Sequence, residues 1–188
     1  MGAFERAAHF AANVHADMVR KGDPIPFLIH PFEVASIAAS ITTDEDVLVA
    51  ALLHDVVEET PTPLEEVREL FGDRVAALVS SETENKYEGL PKSETWQRRK
   101  EESLRKLSEA QDIGMKVLWL SDKLANLRSF AALRDREGDA MWKRFNQSDP
   151  RKHAWYFRSV LTLTDELSHT RAWREYDWLV DELFGKVG

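Results

Sequence analysis

Between Val47 and Val57 nine of eleven residues are apolar, and the two exceptions, His54 and Asp55, stand side by side. A segment hydrophobic on nearly every face of a helix cannot lie on a surface, so other elements must wrap it. The rest of the chain supplies elements of the same kind. Apolar residues recur at helical spacing nearly throughout, and no run shows the two-residue alternation of β-branched side chains that marks a half-buried strand. The expected fold is all-α, a helical bundle of about nine to ten helices with residues 47–57 at its centre.

Punctuating residues place the elements. A first helix is expected over residues 3–20, ended by Lys21-Gly22-Asp23-Pro24-Ile25-Pro26. A second starts near Pro31 and carries Val34, Ile37 and Ala38. Thr42-Thr43-Asp44-Glu45-Asp46 offers capping groups to the central helix; Thr62-Pro63-Leu64-Glu65 opens a short helix that Gly72 ends, and another covers residues 73–81. Residues 83–93 form the longest irregular stretch, a substrate-facing loop or a solvated linker. Helices follow over residues 94–110, 112–133, 141–145, 149–167 and 172–184. A length of 188 residues fits one domain, residues 1–188, whose tail is expected to pack on the first helices.

Lys plus Arg number 25 against 33 Asp plus Glu, a net charge of −8. That balance excludes a general binder of nucleic-acid polymers or anionic membranes, while a local basic cluster can still hold a single nucleotide. The absence of cysteine removes disulfides, thiolate nucleophiles and Cys-based zinc sites, leaving His and carboxylates as metal ligands. No basic segment followed by an apolar one opens the chain, and no apolar run reaches membrane-spanning length, so a cytoplasmic location is expected. Oligomeric state is left open, a homo-oligomer being compatible with the sequence.

An imidazole beside a carboxylate in the most apolar helix is costly to bury, and such groups persist when paired or bound to metal. Four-residue spacing sets Glu58 after His54 and Glu59 after Asp55 on adjacent stripes. A second apolar stretch, from Val117 to Leu127, is interrupted at Asp122, with Asn126 on the same face. His30 enters a helix from an irregular segment. Brought together, His30, His54, Asp55 and Asp122 make two imidazoles and two carboxylates, a set suited to Mn²⁺, Fe²⁺ or Zn²⁺. Taken alone, a His-Asp pair is more often a satisfied core pair.

The ordered set changes that balance. His30-Pro31, then His54-Asp55 after 23 intervening residues, then Asp122 after a further 66, resembles the H…HD…D pattern of the HD metal-dependent phosphohydrolases. Arg20-Lys21-Gly22, Phe27-Leu28-Ile29-His30-Pro31, the run from Ala50 to Thr60, Phe71-Gly72 and Asp122-Lys123-Leu124-Ala125-Asn126-Leu127-Arg128 look like the hydrolase domain of RelA/SpoT enzymes. The layout is similar to the stand-alone small alarmone hydrolases, over residues 4–130.

The resemblance implies an all-helical HD fold and Mn²⁺-dependent removal of the 3′-pyrophosphate of (p)ppGpp, releasing GDP or GTP and pyrophosphate. The alternative substrate is another nucleotide, such as a 3′-phosphorylated one or NADPH. It further implies His30, His54, Asp55 and Asp122 as metal ligands and Glu58 with Glu59 as the pair that positions and deprotonates water. Arg20, Lys21, Asn126 and Arg128 fall at its nucleotide-binding positions. Glu59 stands where the family usually has Asp, and the segment from Ser80 to Lys86 only loosely follows the family's Val-Thr-Lys pattern. Outside this set, Lys123, Arg98-Arg99-Lys100 and Arg105-Lys106 read as solvated. His9, His153 and His169 read as surface or structural, and Trp155, Tyr156, Trp173, Tyr176 and Trp178 as core. His15 is expected to line the cleft or brace His30.

Overall fold

The computed structural model describes residues 1–20, 24–85, 87 and 89–186. Among them it has ten α-helices, two 3₁₀ segments and no strand: α1 (Ala3–Val14), α2 (Ile29–Ala39), α3 (Glu45–Leu53), α4 (Val56–Glu59), α5 (Leu64–Phe71), α6 (Asp73–Glu82), α7 (Lys92–Ser108), α8 (Ile113–Glu137), α9 (Pro150–Leu163) and α10 (Arg171–Phe184), with 3₁₀ turns at Gly138–Arg144 and Asp165–Leu167. No helix among the described residues is long and apolar enough to cross a membrane.

Caps explain several boundaries. The Asp44 carboxylate accepts from Asp46 N, Asp112 from Gly114 N, Asp149 from Arg151 N, and the Thr170 hydroxyl from Trp173 N, each satisfying a backbone donor that the helix leaves open. Gly72, at φ 95°, joins α5 directly to α6 in a conformation that a side chain would strain. Gly114 lets α8 approach α3, since a Cβ there would stand 2.8 Å from Val47 Cγ2.

The apolar segment lies at the centre as its composition requires. Val47, Val49, Ala50, Ala51, Leu52 and Leu53 are all buried, and so are Val117, Leu118, Trp119, Leu120, Leu124, Ala125 and Leu127 of α8. Helices α2, α3 and α8 pack on one another at this centre; α1 and α6 cover α3, while α9 and α10 lie against α8. The C-terminal tail therefore rests chiefly on α8 rather than on the first helices. The start of α2, the turn after α3 and the middle of α8 bring His30, His54 and Asp122 to one place.

The central helix is not continuous. It ends at Leu53 and resumes at Val56, with His54 and Asp55 in the turn between. The cause is local: His54 Nδ1 donates to the Ala51 carbonyl at 2.9 Å, and that is the carbonyl the Asp55 amide would take in an unbroken helix. The first helix is shorter than its apolar spacing predicts. It stops at Val14 because Asp17 takes φ 62° and the chain turns back, with Val19 bridged to Pro26. Arg20 N to Ile25 O at 3.0 Å and Phe27 N to Met18 O at 2.9 Å hold the two flanking segments together.

Candidate metal centre and cleft

His30 comes from the first turn of α2, His54 and Asp55 from the break after α3, and Asp122 from the middle of α8. His30, His54 and Asp122 are buried and each offers one donor atom, all within 4.8 Å of one another. The His30 and His54 Nε2 atoms are 3.2 Å apart. Asp122 Oδ1 lies 3.0 Å from His30 Nε2 and 3.6 Å from His54 Nε2, and Asp55 Oδ2 lies 3.3 Å from His54 Nε2 and 3.7 Å from His30 Nε2. Adjacent ligands about 2.1 Å from one ion stand roughly 3.0 to 3.4 Å apart, so these spacings fit a divalent cation. The ring orientation fits too: a carbonyl can only accept, so Nδ1 of His54 carries a proton toward Ala51 O and Nε2 is the nitrogen turned to the other donors.

The two carboxylates also favour a protonated His54 ring, so a metal has to displace that proton when it binds. Burial pulls the His54 imidazole down, but Asp55 and Asp122 outweigh it and hold its pKa well above the ordinary range. Burial raises Asp122, yet Lys123 and the two imidazoles bring it far below the usual carboxylate value. Two imidazole nitrogens facing each other between two carboxylates carry a charge pattern that a single divalent cation satisfies.

This floor opens beside a cleft of about 480 Å³ lined by Glu58, Glu59 and Asn126 together with Arg20, Lys92, Arg99, Lys100 and Lys123. Burial, then the neighbouring Glu84 and Asp55, raise the Glu58 carboxyl above its ordinary value. Asn126 Nδ2 donates to Asp122 Oδ1 at 2.8 Å while its Oδ1 accepts from Arg20 at 3.3 Å, so one amide orients both the carboxylate and a cation. A second cavity of about 220 Å³ lies behind Arg20, Phe130 and Phe145, which line both; Ile25, Ile29, His30 and Leu133 complete much of its wall.

Of the residues expected at the nucleotide, Arg20 and Asn126 reach the cleft, Lys21 lies outside the described residues, and Arg128 does not arrive. Its guanidinium grips Glu175 at 2.7 and 2.9 Å and Glu33 at 3.2 Å, tying α8 to α10 and α2. His15 is buried, its ring 4.7 Å from that of Phe27, whose ring in turn meets His30 edge-on. It braces His30 through Phe27.

Several side chains read as solvated or structural are part of the cleft. Lys123 is not in solvent: its ammonium joins Asp122 Oδ2 to Glu82 Oε2. Arg99 and Lys100 are mostly buried against Glu84, whereas Arg98 of the same run is exposed. His153 and Tyr156 are buried and line the cleft, while Trp155 and Trp178 are exposed rather than core. Charge runs on a helix look solvated from sequence, because only the partner from a distant segment, here Glu84, reveals which members face inward.

Comparison with known proteins gives the family. The model of the HD domain family matches residues 7–146. Over 136 residues, 70% of this chain, it is 39% identical to a guanosine-3′,5′-bis(diphosphate) 3′-pyrophosphohydrolase of Aquifex aeolicus, and over 95% of the chain it is 32% identical to a probable GTP pyrophosphokinase of Mycobacterium leprae. The aligned parts are 18% and 20% of those relatives' lengths, so the chain matches one segment of much longer proteins. Among solved structures, a Listeria monocytogenes protein superposes with TM-score 0.72 at 32% identity, covering 84% of this chain and 99% of that one. A metazoan orthologue of SpoT, described as hydrolysing ppGpp, superposes with TM-score 0.68 at 31% identity over 98% of this chain and 94% of that one. With its H…HD…D donors gathered at one point and its fold shared over nearly the whole chain, this protein belongs to the HD domain family, on the side of its SpoT-type members.

Proposed function

We propose that the chain is a metal-dependent phosphohydrolase that removes the 3′-pyrophosphate of (p)ppGpp, giving GDP or GTP and pyrophosphate, with His30, His54, Asp55 and Asp122 holding Mn²⁺. The observation that carries the reading is the group of His30, His54 and Asp122, with Asp55 against both imidazoles, beside a cleft with five cationic side chains and two glutamates. The described activities of the SpoT-type relatives support the same chemistry. The residues act as one unit, 1–188, on a small nucleotide in the cytoplasm.

A divalent ion at the floor supplies charge neutralisation and a lowered pKa for water. The protein supplies the rest. Glu58, with a raised pKa, takes a proton from the attacking water, and Glu59 beside it orients that water. The water oxygen bonds to the phosphorus attached to ribose O3′, the P–O3′ bond breaks, and Glu58 returns the proton to O3′. Arg99 and Lys100 line the cleft where the phosphoryl oxygens of the substrate would lie. Arg20 stands between the cleft and the second cavity, whose Phe130 and Phe145 rings and mixed polar wall suit a base.

The test is incubation of the purified chain with ppGpp, with Mn²⁺ and with excess chelator in parallel, followed by anion-exchange separation. Conversion to GDP and pyrophosphate only with Mn²⁺ is expected. A chain that holds Mn²⁺ yet leaves ppGpp intact would overturn the substrate and leave the metal centre standing.

A further inference from the structure

Glu82, the last residue of α6, is a buried carboxylate that the chemistry above does not use. It falls in the segment where the sequence departs from the family's pattern. Its Oε2 accepts from Lys123 Nζ at 2.9 Å, and its Oε1 is buried with no hydrogen-bond partner. Leaving a carboxylate oxygen without a partner costs free energy, so the gain must come through the oxygen that does have one. The same ammonium also donates to Asp122 Oδ2 and lies 4.9 Å over the Trp119 ring. Asp122 turns its other oxygen, Oδ1, to Asn126 and to the imidazole pair. One cation is thus shared between two buried carboxylates, one of them a ligand of the metal centre.

We propose that Glu82 is a positioning residue of the metal centre: by taking part of the Lys123 charge onto itself, it leaves Asp122 free to direct Oδ1 and its negative charge at the cation. Without Glu82, the ammonium is compensated by Asp122 alone and competes with the metal for that carboxylate. The inference rests on the metal site and not on which nucleotide is cleaved. Groups that orient or compensate a ligand in this way commonly change metal affinity by about 10-fold to 100-fold when altered.

The test measures Mn²⁺ binding to the metal-free protein by electron paramagnetic resonance of free Mn²⁺, without nucleotide. Burial pushes the Glu82 carboxyl up to about 7 against the pull of Lys123, so the titration is run near pH 8, where it is ionised. Glu82→Gln is expected to weaken Mn²⁺ binding by about 10-fold to 100-fold. In a Lys123→Met background the same change is expected to add no further loss, because the competing ammonium is gone. Unchanged affinity in Glu82→Gln overturns the proposal, and so does an equal loss in both backgrounds. A second pair covers misfolding of that variant: Glu82→Asp, which keeps the charge, is expected to bind Mn²⁺ more tightly than Glu82→Leu, and equal affinities overturn the proposal. A wild-type chain that binds no Mn²⁺ sinks the metal centre and this inference together, whereas tight binding without ppGpp turnover sinks only the substrate.

Discussion

Mn²⁺ should stabilise the fold by an amount the geometry lets one work out. The donors already stand 3.0 to 3.7 Å apart, so little rearrangement is needed to surround an ion. At a hundred times its Kd, a ligand bound only by the folded state contributes about 2.7 kcal/mol. For a chain of this length each kcal/mol moves the melting midpoint by about 2–4 °C, so saturating Mn²⁺ should raise Tm by roughly 5–11 °C over the protein in EDTA. Helical circular dichroism follows the transition directly. Both imidazoles must be unprotonated to bind metal, so binding releases protons and the shift should be larger at pH 8 than at pH 6. Asp122→Asn keeps the shape of the side chain but removes its charge, and most of the shift should vanish. An equal shift in wild type and Asp122→Asn, or none at saturating Mn²⁺, would refute the reasoning.

Other outcomes follow from the same contacts. Glu58→Gln should keep the Mn²⁺ shift while lowering kcat by about 10²-fold to 10⁴-fold. Because the Glu58 carboxyl titrates above its ordinary 4.5, the wild-type rate should fall, as pH drops, at a higher pH than an unperturbed glutamate would give, and the glutamine variant should lack that limb. Arg99→Ala should raise KM about tenfold, the loss of one charge-assisted contact of about 1.4 kcal/mol, as read from initial rates against substrate concentration. Arg128→Ala should leave KM alone and lower stability by about 1 kcal/mol, since its partners are Glu175 and Glu33 at a half-exposed site. Arg74→Ala, which frees Asp44, Asp46 and Asp112 at the surface, should cost about 1–2 kcal/mol in denaturant titration, less at high salt, with kcat intact.

The helical class and the gathering of His30, His54, Asp55 and Asp122 were legible because each rests on local or ordered signals. A run as apolar as that from Val47 to Leu53 has to be central, and the caps at Asp44, Asp112 and Asp149 sit where their residue types point. The break at His54 was not legible, since the spacing reads as one continuous helix and only the bond from the His54 ring to Ala51 O interrupts it. Nor was the fate of the cations. Arg128 looks like a nucleotide contact by its place after Asn126, but Glu175, 47 residues away, claims it; Lys123 looks solvated, but Glu82, 41 residues away, draws it inward. Pairings of that sequence separation leave no periodic trace, so sequence locates the His and Asp cluster better than it locates the charges around it.

The measurement closest to the central claim is a crystal structure of the protein grown with Mn²⁺, with anomalous scattering recorded at the manganese edge. One strong peak is predicted at about 2.0–2.3 Å from His30 Nε2, His54 Nε2, Asp122 Oδ1 and Asp55 Oδ2. A protein that turns over its nucleotide with the peak elsewhere, or with no peak between the two imidazoles, would contradict the account.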